Sequence, residues 1–156
     1  MGPRELTGDL DAAGMHIGIA AATFHQEISD GLVSGARSLA EEAGAESITV
    51  VSVPGSFELP LVAAGLIGAG CDAVIAVGAV IRGDTDHYEH VAHRASEGLM
   101  RVALDTGVPV AFGILTADDR EAAVVRSRPG AGNKGAEAAD AAIRTARALQ
   151  SLRTAP

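Results

Sequence analysis

The stretch from residue 73 to residue 81 carries no polar side chain and consists only of Ala, Val, Ile and Gly. A continuous apolar run of this kind is typical of a central parallel strand, because both faces of such a strand are covered by other parts of the protein. Parallel neighbours need long crossover connections, which are usually helices. The run therefore predicts an α/β fold with helices on both sides of a sheet.

The rest of the chain supplies the alternation of strands and helices that such a sheet requires. Strands are predicted over residues 15–22, 47–53, 72–81 and 108–115, and helices over residues 27–43, 57–68, 87–105, 118–126 and 134–152. This order indicates a single-domain three-layer αβα sandwich with a four-stranded parallel, flavodoxin-like sheet. Residues 1–14 would form an N-terminal arm ahead of a domain that spans residues 15–156.

Polar residues and a proline mark the beginnings of three of these helices. Thr116, followed by Asp118 and Asp119, is predicted to provide the cap and the acidic first turn of the fourth helix. Asn133 is predicted to cap the last helix. Pro60 is tolerable in the second helix only within its first turn.

Charge and composition exclude several classes of function. The formal net charge of -8 argues against nucleic-acid binding, which needs clustered Lys and Arg. Cys71 is the only cysteine, so a disulfide framework is excluded, and its place before an apolar strand indicates a buried small hydrophobe rather than a nucleophile. We expect no membrane span and no signal peptide, and therefore a cytoplasmic protein.

The unusual residues of the chain gather at one predicted edge of the sheet. In open α/β sheets, ligands bind outside the carboxyl ends of the strands. Those ends are predicted to carry Phe24, the turn of residues 55–58, the loop of residues 82–87, and Phe112 with Gly113. A ligand site is therefore expected at this edge.

The loop of residues 82–87 leads from the central strand into a helix. Gly83 allows close approach of an anion, and the amides of Asp84 and Thr85 with the Thr85 hydroxyl are suited to phosphate. The alternative is an ordinary strand-to-helix turn, in which Gly83 lets the backbone bend and Thr85 caps the helix. His87, in the first turn of the helix, is a candidate proton carrier. Dinucleotide-binding and Walker motifs are absent from the sequence.

The same helix offers a competing metal interpretation. His87, His90 and His93 are spaced by three residues beside Glu89, but a third ligand from elsewhere would be needed. His90 and His93 are otherwise explained as residues of a solvated helix face.

Aromatic and basic residues extend the predicted site. Phe24 and Phe57 in strand-end turns suggest a stacking surface for a flat ligand, although Phe57 fits a hydrophobic staple equally well. Arg126, Arg128 and Lys134 surround a Gly/Pro break and either bind phosphate or act as ordinary partners of the helix dipole.

Five stretches of the chain, taken together, resemble the lumazine synthase family of riboflavin biosynthesis. They occur in that family's order from about residue 15 to the end, and they are residues 54–60 (PGSFELP), residues 78–85 (GAVIRGDT) with His87, residues 113–116 (GILT), Arg126, and residues 133–139 (NKGAEAA). The resemblance implies a transferase that condenses 5-amino-6-(D-ribitylamino)uracil with 3,4-dihydroxy-2-butanone 4-phosphate. The products are 6,7-dimethyl-8-ribityllumazine, phosphate and water, and no metal or organic cofactor is implied.

The resemblance also implies a role for each candidate residue. His87 would shuttle protons. The pyrimidine and its ribityl chain would be bound by Phe24, Ser56, Phe57, Glu58, Val80 and Ile81, with Phe112 and Lys134 contributed by a neighbouring subunit. Phosphate would be held by Gly83, Asp84 and Thr85, and by Arg126 of the neighbour.

Family members form pentamers, and some close into an icosahedral shell of about 60 subunits. The short break of residues 127–133 resembles the shell-forming members, and association with riboflavin synthase is a further expectation. Asp86 departs from the family pattern by adding a negative charge beside the phosphate loop. This departure motivates an alternative, a non-catalytic relative that forms a shell or binds a flavin-like or pteridine-like ligand.

Overall fold

The computed structural model describes residues 2–154 and has the α/β architecture that the apolar run predicts. Its elements in chain order are β1 (His16–Ala22), α1 (Gln26–Glu42), β2 (Ser47–Val53), a 3₁₀ turn (Ser56–Glu58), α2 (Leu59–Gly68), β3 (Ala73–Ile81), α3 (His87–Thr106), β4 (Val110–Ala117), α4 (Arg120–Val125) and α5 (Lys134–Thr154). The strands form one parallel sheet in the order β2-β1-β3-β4. The three-layer αβα sandwich with a flavodoxin-like sheet is confirmed.

Two apolar clusters cover the two faces of the sheet. One cluster joins the sheet to α1 and α5 and includes Ile17, Ile19, Leu32 and Ile143. The other joins it to α2 and α3 and includes Leu59, Val74 and Leu99. The side chains of β3 alternate between these clusters, which explains why the whole strand from residue 73 to residue 80 is buried and needs apolar residues throughout.

The start of the fourth helix differs from the prediction. Strand β4 begins and ends two residues later than predicted, so Thr116 lies inside the strand and does not cap a helix. Asp119 is the cap instead, and its carboxylate accepts a hydrogen bond from the backbone N–H of Ala122 at 2.8 Å. Thr has high strand propensity, whereas Asp119 has the extended backbone that a cap requires.

The predicted second helix is split into two parts. Residues Ser56–Glu58 form the 3₁₀ turn, and α2 begins only at Leu59. Pro60 lies in the first turn of α2, as predicted, where its missing N–H removes no helical hydrogen bond. The tighter turn leaves Ser56, Phe57 and Glu58 at the carboxyl edge of the sheet.

Asn133 caps α5 as predicted, and it also ties three segments together. Its side-chain oxygen accepts a hydrogen bond from Ala136 N–H at 3.0 Å. Its Nδ2 lies 3.1 Å from the carbonyl oxygens of Gly31 and Ser127 and 3.0 Å from that of Arg128. The side chain is 2% exposed, so these contacts satisfy a polar group that burial would otherwise leave unpaired.

Residues 2–14, which were predicted to belong to an N-terminal arm, contain only an isolated bridge, between Ala13 and Ala45. That they form an arm separate from the domain stays a prediction. These residues pack against α5, where the guanidinium of Arg147 donates to the carbonyl oxygens of Asp11 and Ala13, at 2.6 Å each. None of the helices within residues 2–154 is long and apolar enough to cross a membrane.

Candidate active site

A cleft of about 260 Å³ opens at the carboxyl edge of the sheet. It is bounded by the end of β1, the 3₁₀ turn, the end of β3 and the start of α3. The predicted residues that line it are Phe24, Ser56, Phe57, Glu58, Val80, Ile81 and His87, and they are joined by His25, Gly55, Ala79 and Val91. The parallel sheet therefore brings seven of the predicted site residues to one place.

Aromatic rings and a buried hydroxyl shape this cleft. Phe24 and Phe57 are 81% and 61% exposed, so two aromatic rings are open to a ligand in the cleft. Ser56 is only 5% exposed, and its hydroxyl has no hydrogen-bond partner among residues 2–154. Each such buried polar atom needs an explanation, and a ligand contact is one. A methyl group at Gly78 would lie 2.9 Å from this hydroxyl, so glycine leaves room for it.

His87 is the first residue of α3 and stands at the cleft's polar end. Its backbone N–H donates to the Thr85 hydroxyl at 3.3 Å, so Thr85 satisfies one of the free amides of the helix start. Its imidazole is exposed and close to space that a ligand can occupy. Geometrically, His87 is placed to exchange a proton with a bound molecule.

The loop of residues 83–85 lies next to the cleft in the chain but does not line it. A side chain at Gly83 would meet no atom within 4 Å, so the backbone there is open to an anion. The Arg82 side chain is engaged by partners outside this loop. Its Nε donates to Asp118 at 3.1 Å, and its guanidinium lies 4.5 Å from the centre of the Tyr88 ring. An anion that approached residues 83–85 would therefore meet backbone amides and the Thr85 side chain.

Asp86, which follows the loop of residues 83–85, has a partner of its own. Its carboxylate lies 3.2 Å from His90 Nε2, one helical turn away. His90 and His93 are exposed and do not line the cleft. In the described residues, 2–154, no three His, Cys, Asp or Glu side chains come together in a group that could hold a metal ion.

Phe112, Arg126 and Lys134 lie apart from this cleft. They line a separate depression of about 280 Å³ along β4, together with residues 113–116. Phe112 is in the interior of β4, where it pairs with Ala76 in β3, so the prediction that it lies at a strand's carboxyl end is wrong. The strand continues to Ala117 because residues 114–117 still pair with β3. Phe112 is nevertheless 46% exposed.

Backbone contacts fix the two basic residues of this depression. Lys134 N–H donates to the carbonyl oxygen of Arg126 at 2.9 Å, across the Gly/Pro break. The Arg126 guanidinium donates to the carbonyl oxygen of Ala122 at 2.9 Å, and Lys134 Nζ lies 2.9 Å from Glu137. The depression thus gathers one aromatic ring and two cations, and a single chain does not join it to the first cleft.

His25 lines the first cleft but was not singled out from the sequence. Burial and, to a lesser extent, the nearby Arg120 guanidinium lower the pKa of its imidazole. The sequence feature that could have identified His25 is its position directly after Phe24 at a strand end.

Cys71 lies at the opposite edge of the sheet, beside a cleft of about 520 Å³. Burial, followed by the charge of Asp72, raises the pKa of its thiol, which disfavours the reactive thiolate.

Comparison with known proteins finds similarity along nearly the whole chain. A sequence model of the family described as 6,7-dimethyl-8-ribityllumazine synthase matches residues 14–150. The protein of that name from Leifsonia xyli subsp. xyli is 49% identical over 146 residues, which are 92% of this chain and 92% of the relative. The one from Clavibacter michiganensis subsp. michiganensis is 47% identical over 148 residues, 94% of this chain and 92% of the relative. The one from Kineococcus radiotolerans is 45% identical over 150 residues, which are 95% of this chain and 93% of the relative.

Proposed function

The chain belongs to the 6,7-dimethyl-8-ribityllumazine synthase family, and we propose how its own residues carry out that reaction. The enzyme is a transferase of riboflavin biosynthesis that condenses 5-amino-6-(D-ribitylamino)uracil with 3,4-dihydroxy-2-butanone 4-phosphate. The observation that carries the assignment of roles is the cleft, which collects two exposed phenylalanines, an unpaired serine hydroxyl and a histidine around one space.

The pyrimidine substrate occupies the apolar part of this cleft. Phe24 stacks on the ring, since a flat aromatic ligand gains most from an aromatic face. Phe57 with Ser56 and Glu58 binds the ribityl chain, whose hydroxyls complement the unpaired Ser56 hydroxyl and the Glu58 carboxylate. The backbone of Val80 and Ile81 reads the ring edge, which lies where β3 ends.

The second substrate places its phosphate on the loop that precedes α3. The amides of Gly83, Asp84 and Thr85 and the Thr85 hydroxyl donate to phosphate oxygens, as backbone amides near a helix start do. His87 then lies between the phosphate and the pyrimidine. It moves protons when the imine forms, when phosphate leaves and when the ring closes, because an imidazole can both accept and donate a proton.

The site is completed by a neighbouring subunit. The depression with Phe112, Arg126 and Lys134 shares no lining residue with the first cleft, which supports two half-sites that meet between copies of the chain. Phe112 and Lys134 then complete the pyrimidine pocket, and Arg126 grips the phosphate with its guanidinium fork. Members of this family act on small molecules and assemble into oligomers. For this chain we propose pentamers that close into an icosahedral shell in the cytoplasm.

Turnover by purified protein tests this function directly. With both substrates, formation of the fluorescent lumazine and release of phosphate should proceed together, well above the uncatalysed background. A folded protein that binds the pyrimidine without raising the rate above background would contradict the proposal.

Light scattering on the same preparation tests the assembly. A pentamer-sized species at every pH and phosphate concentration would contradict the proposed shell.

Replacing Arg126 by glutamine tests the phosphate assignment. A hydrogen bond to a charged group contributes about 1.5–3 kcal/mol, so the KM for the butanone phosphate should rise about thirtyfold. The KM for the pyrimidine should stay within about twofold. Arg128→Gln removes the same charge two residues along and serves as the control. Equal effects of the two variants on the butanone phosphate would contradict a specific grip by Arg126.

Mixing two impaired variants tests whether the site is shared between subunits. In mixed oligomers of His87→Ala and Arg126→Gln chains, some sites would combine an intact His87 from one chain with an intact Arg126 from the other. At a butanone phosphate concentration well below the KM of the Arg126→Gln enzyme, co-assembled mixtures should therefore be more active than either variant alone. If both residues served the same site from one chain, every site would carry a substitution and mixing would restore nothing.

A further inference from the structure

His25 lines the same cleft as Ser56 and His87, although it lies outside the five stretches that point to the family. It follows Phe24 at the end of β1 and is the capping position of α1. Its carbonyl oxygen accepts a hydrogen bond from Ser29 N–H at 3.0 Å. The Phe24 ring meets the imidazole edge to face, with 4.9 Å between the ring centres and 86° between the planes. The imidazole is therefore held against the cleft wall.

The charge state of this imidazole follows from its surroundings. Partial burial and the Arg120 guanidinium both lower its pKa, so the ring is neutral at neutral pH. A neutral imidazole carries one N–H donor and one acceptor nitrogen. Neither ring nitrogen has a hydrogen-bond partner within residues 2–154. The cleft thus contains an unused donor and an unused acceptor on a ring that packs against Phe24.

We propose that His25 is a substrate-binding residue that hydrogen-bonds the aminopyrimidine substrate through its imidazole. The inference rests on the proposed function of the cleft and deepens it. The neighbouring Phe24 is the ring on which the pyrimidine stacks, so His25 lies beside that substrate. The N–H can donate to a carbonyl oxygen of the uracil ring, or the bare nitrogen can accept from an N–H of that ring or a hydroxyl of the ribityl chain. Phosphate is better served by the guanidinium of Arg126 and the loop amides.

Binding through His25 should depend on pH in a defined direction. The charged and titratable groups around it are Arg120 on α4, Glu27 on α1, Glu58 in the 3₁₀ turn and His87 on α3. Arg120 also lies 2.8 Å from Glu27. As the pH falls through the lowered pKa of His25, the acceptor nitrogen is lost and a second cation appears near Arg120. The KM for the pyrimidine should therefore rise on the acid side.

Three variants test the proposal by steady-state kinetics with each substrate varied in turn. His25→Phe keeps a ring but removes both hydrogen-bonding atoms, and it should raise the KM for the pyrimidine about tenfold. The KM for the butanone phosphate and kcat should change by no more than about twofold. His25→Gln keeps a donor and an acceptor and should restore most of the affinity. His93→Phe makes the same replacement on the exposed face of α3 and should leave both KM values unchanged.

The pH profile distinguishes direct binding from a structural effect of the ring. The acid-side rise in the pyrimidine KM should disappear in His25→Gln, whose amide does not titrate. In Arg120→Gln it should move to higher pH, because removing the cation raises the pKa of His25. Unchanged pyrimidine KM in His25→Phe, or an acid-side rise that persists in His25→Gln, would overturn the proposal. Wild-type turnover under the same conditions separates this failure from a failure of the proposed function.

Discussion

Replacing His87 by alanine is expected to lower kcat about a hundredfold, the low end of what general acid–base catalysis contributes. The low end is expected because holding the two substrates together supplies much of the acceleration, and this does not depend on the imidazole. His87 is exposed at the first turn of α3, so water can take over part of the proton transfer in the variant. The KM for each substrate should change by no more than about threefold, since the phenylalanines and the phosphate loop remain.

The kcat of each enzyme is measured from the rate of lumazine formation, corrected for the uncatalysed reaction. His93→Ala is the matched control, because it removes an exposed imidazole from the same helix outside the cleft. Free imidazole added to the His87→Ala enzyme should recover part of the rate, as the vacated position is open to solvent. An undiminished kcat in His87→Ala would remove this residue from the mechanism.

Replacing Gly135 by alanine is expected to destabilise the fold by about 3 kcal/mol, the upper part of the range for overpacking. Gly135 lies in the first turn of α5 and is buried against α1. A methyl group there would overlap the carbonyl group of Leu32. The obstacle is backbone of a packed helix, so it cannot rotate away as a side chain would. The two helices would have to separate, and this would strain the contacts of Asn133 at the same junction.

Thermal unfolding at one protein concentration measures this effect, since the melting temperature of an oligomer depends on concentration. For a chain of this size, the expected loss corresponds to a decrease of about 6–12 °C in Tm. Gly65→Ala is the matched control, because a methyl group at this exposed position of α2 would meet no atom within 4 Å. Alanine is favoured over glycine in a helix, so this variant should be slightly more stable. A Tm of Gly135→Ala equal to that of the wild type would contradict the close approach of α1 and α5.

Much of the fold was predictable because each strand carries its own signal. The apolar run of β3 required cover on both faces, and the β-branched run of β2 matched its observed bounds, Ser47–Val53. The errors fell at junctions, where local preferences compete. Thr116 suits both a cap and a strand, and only its pairing with Val80 across the sheet decides for the strand. The 3₁₀ turn before α2 likewise depends on packing at the sheet edge.

The candidate site was predictable to the extent that strand ends converge in a parallel sheet. Phe24, Ser56, Phe57, Glu58 and His87 meet in one cleft, as their strand-end positions indicated. His25 was missed because a histidine in a turn gives no periodic signal, and its place in the cleft follows only from the packing of the turn. The place of Phe112 was wrong because a strand's end is set by pairing with its neighbour rather than by its own residues.

The residue pattern by itself determined the class of fold, the order of its elements and the family, because hydrophobic period and short motifs are local properties of the chain. The tertiary structure alone decided the rest. It showed that Asn133 holds three segments together, that Gly135 permits contact between α1 and α5, and that Arg126 and Lys134 lie apart from the cleft of His87. These facts depend on distances between residues far apart in sequence, which the packing of helices on the sheet sets.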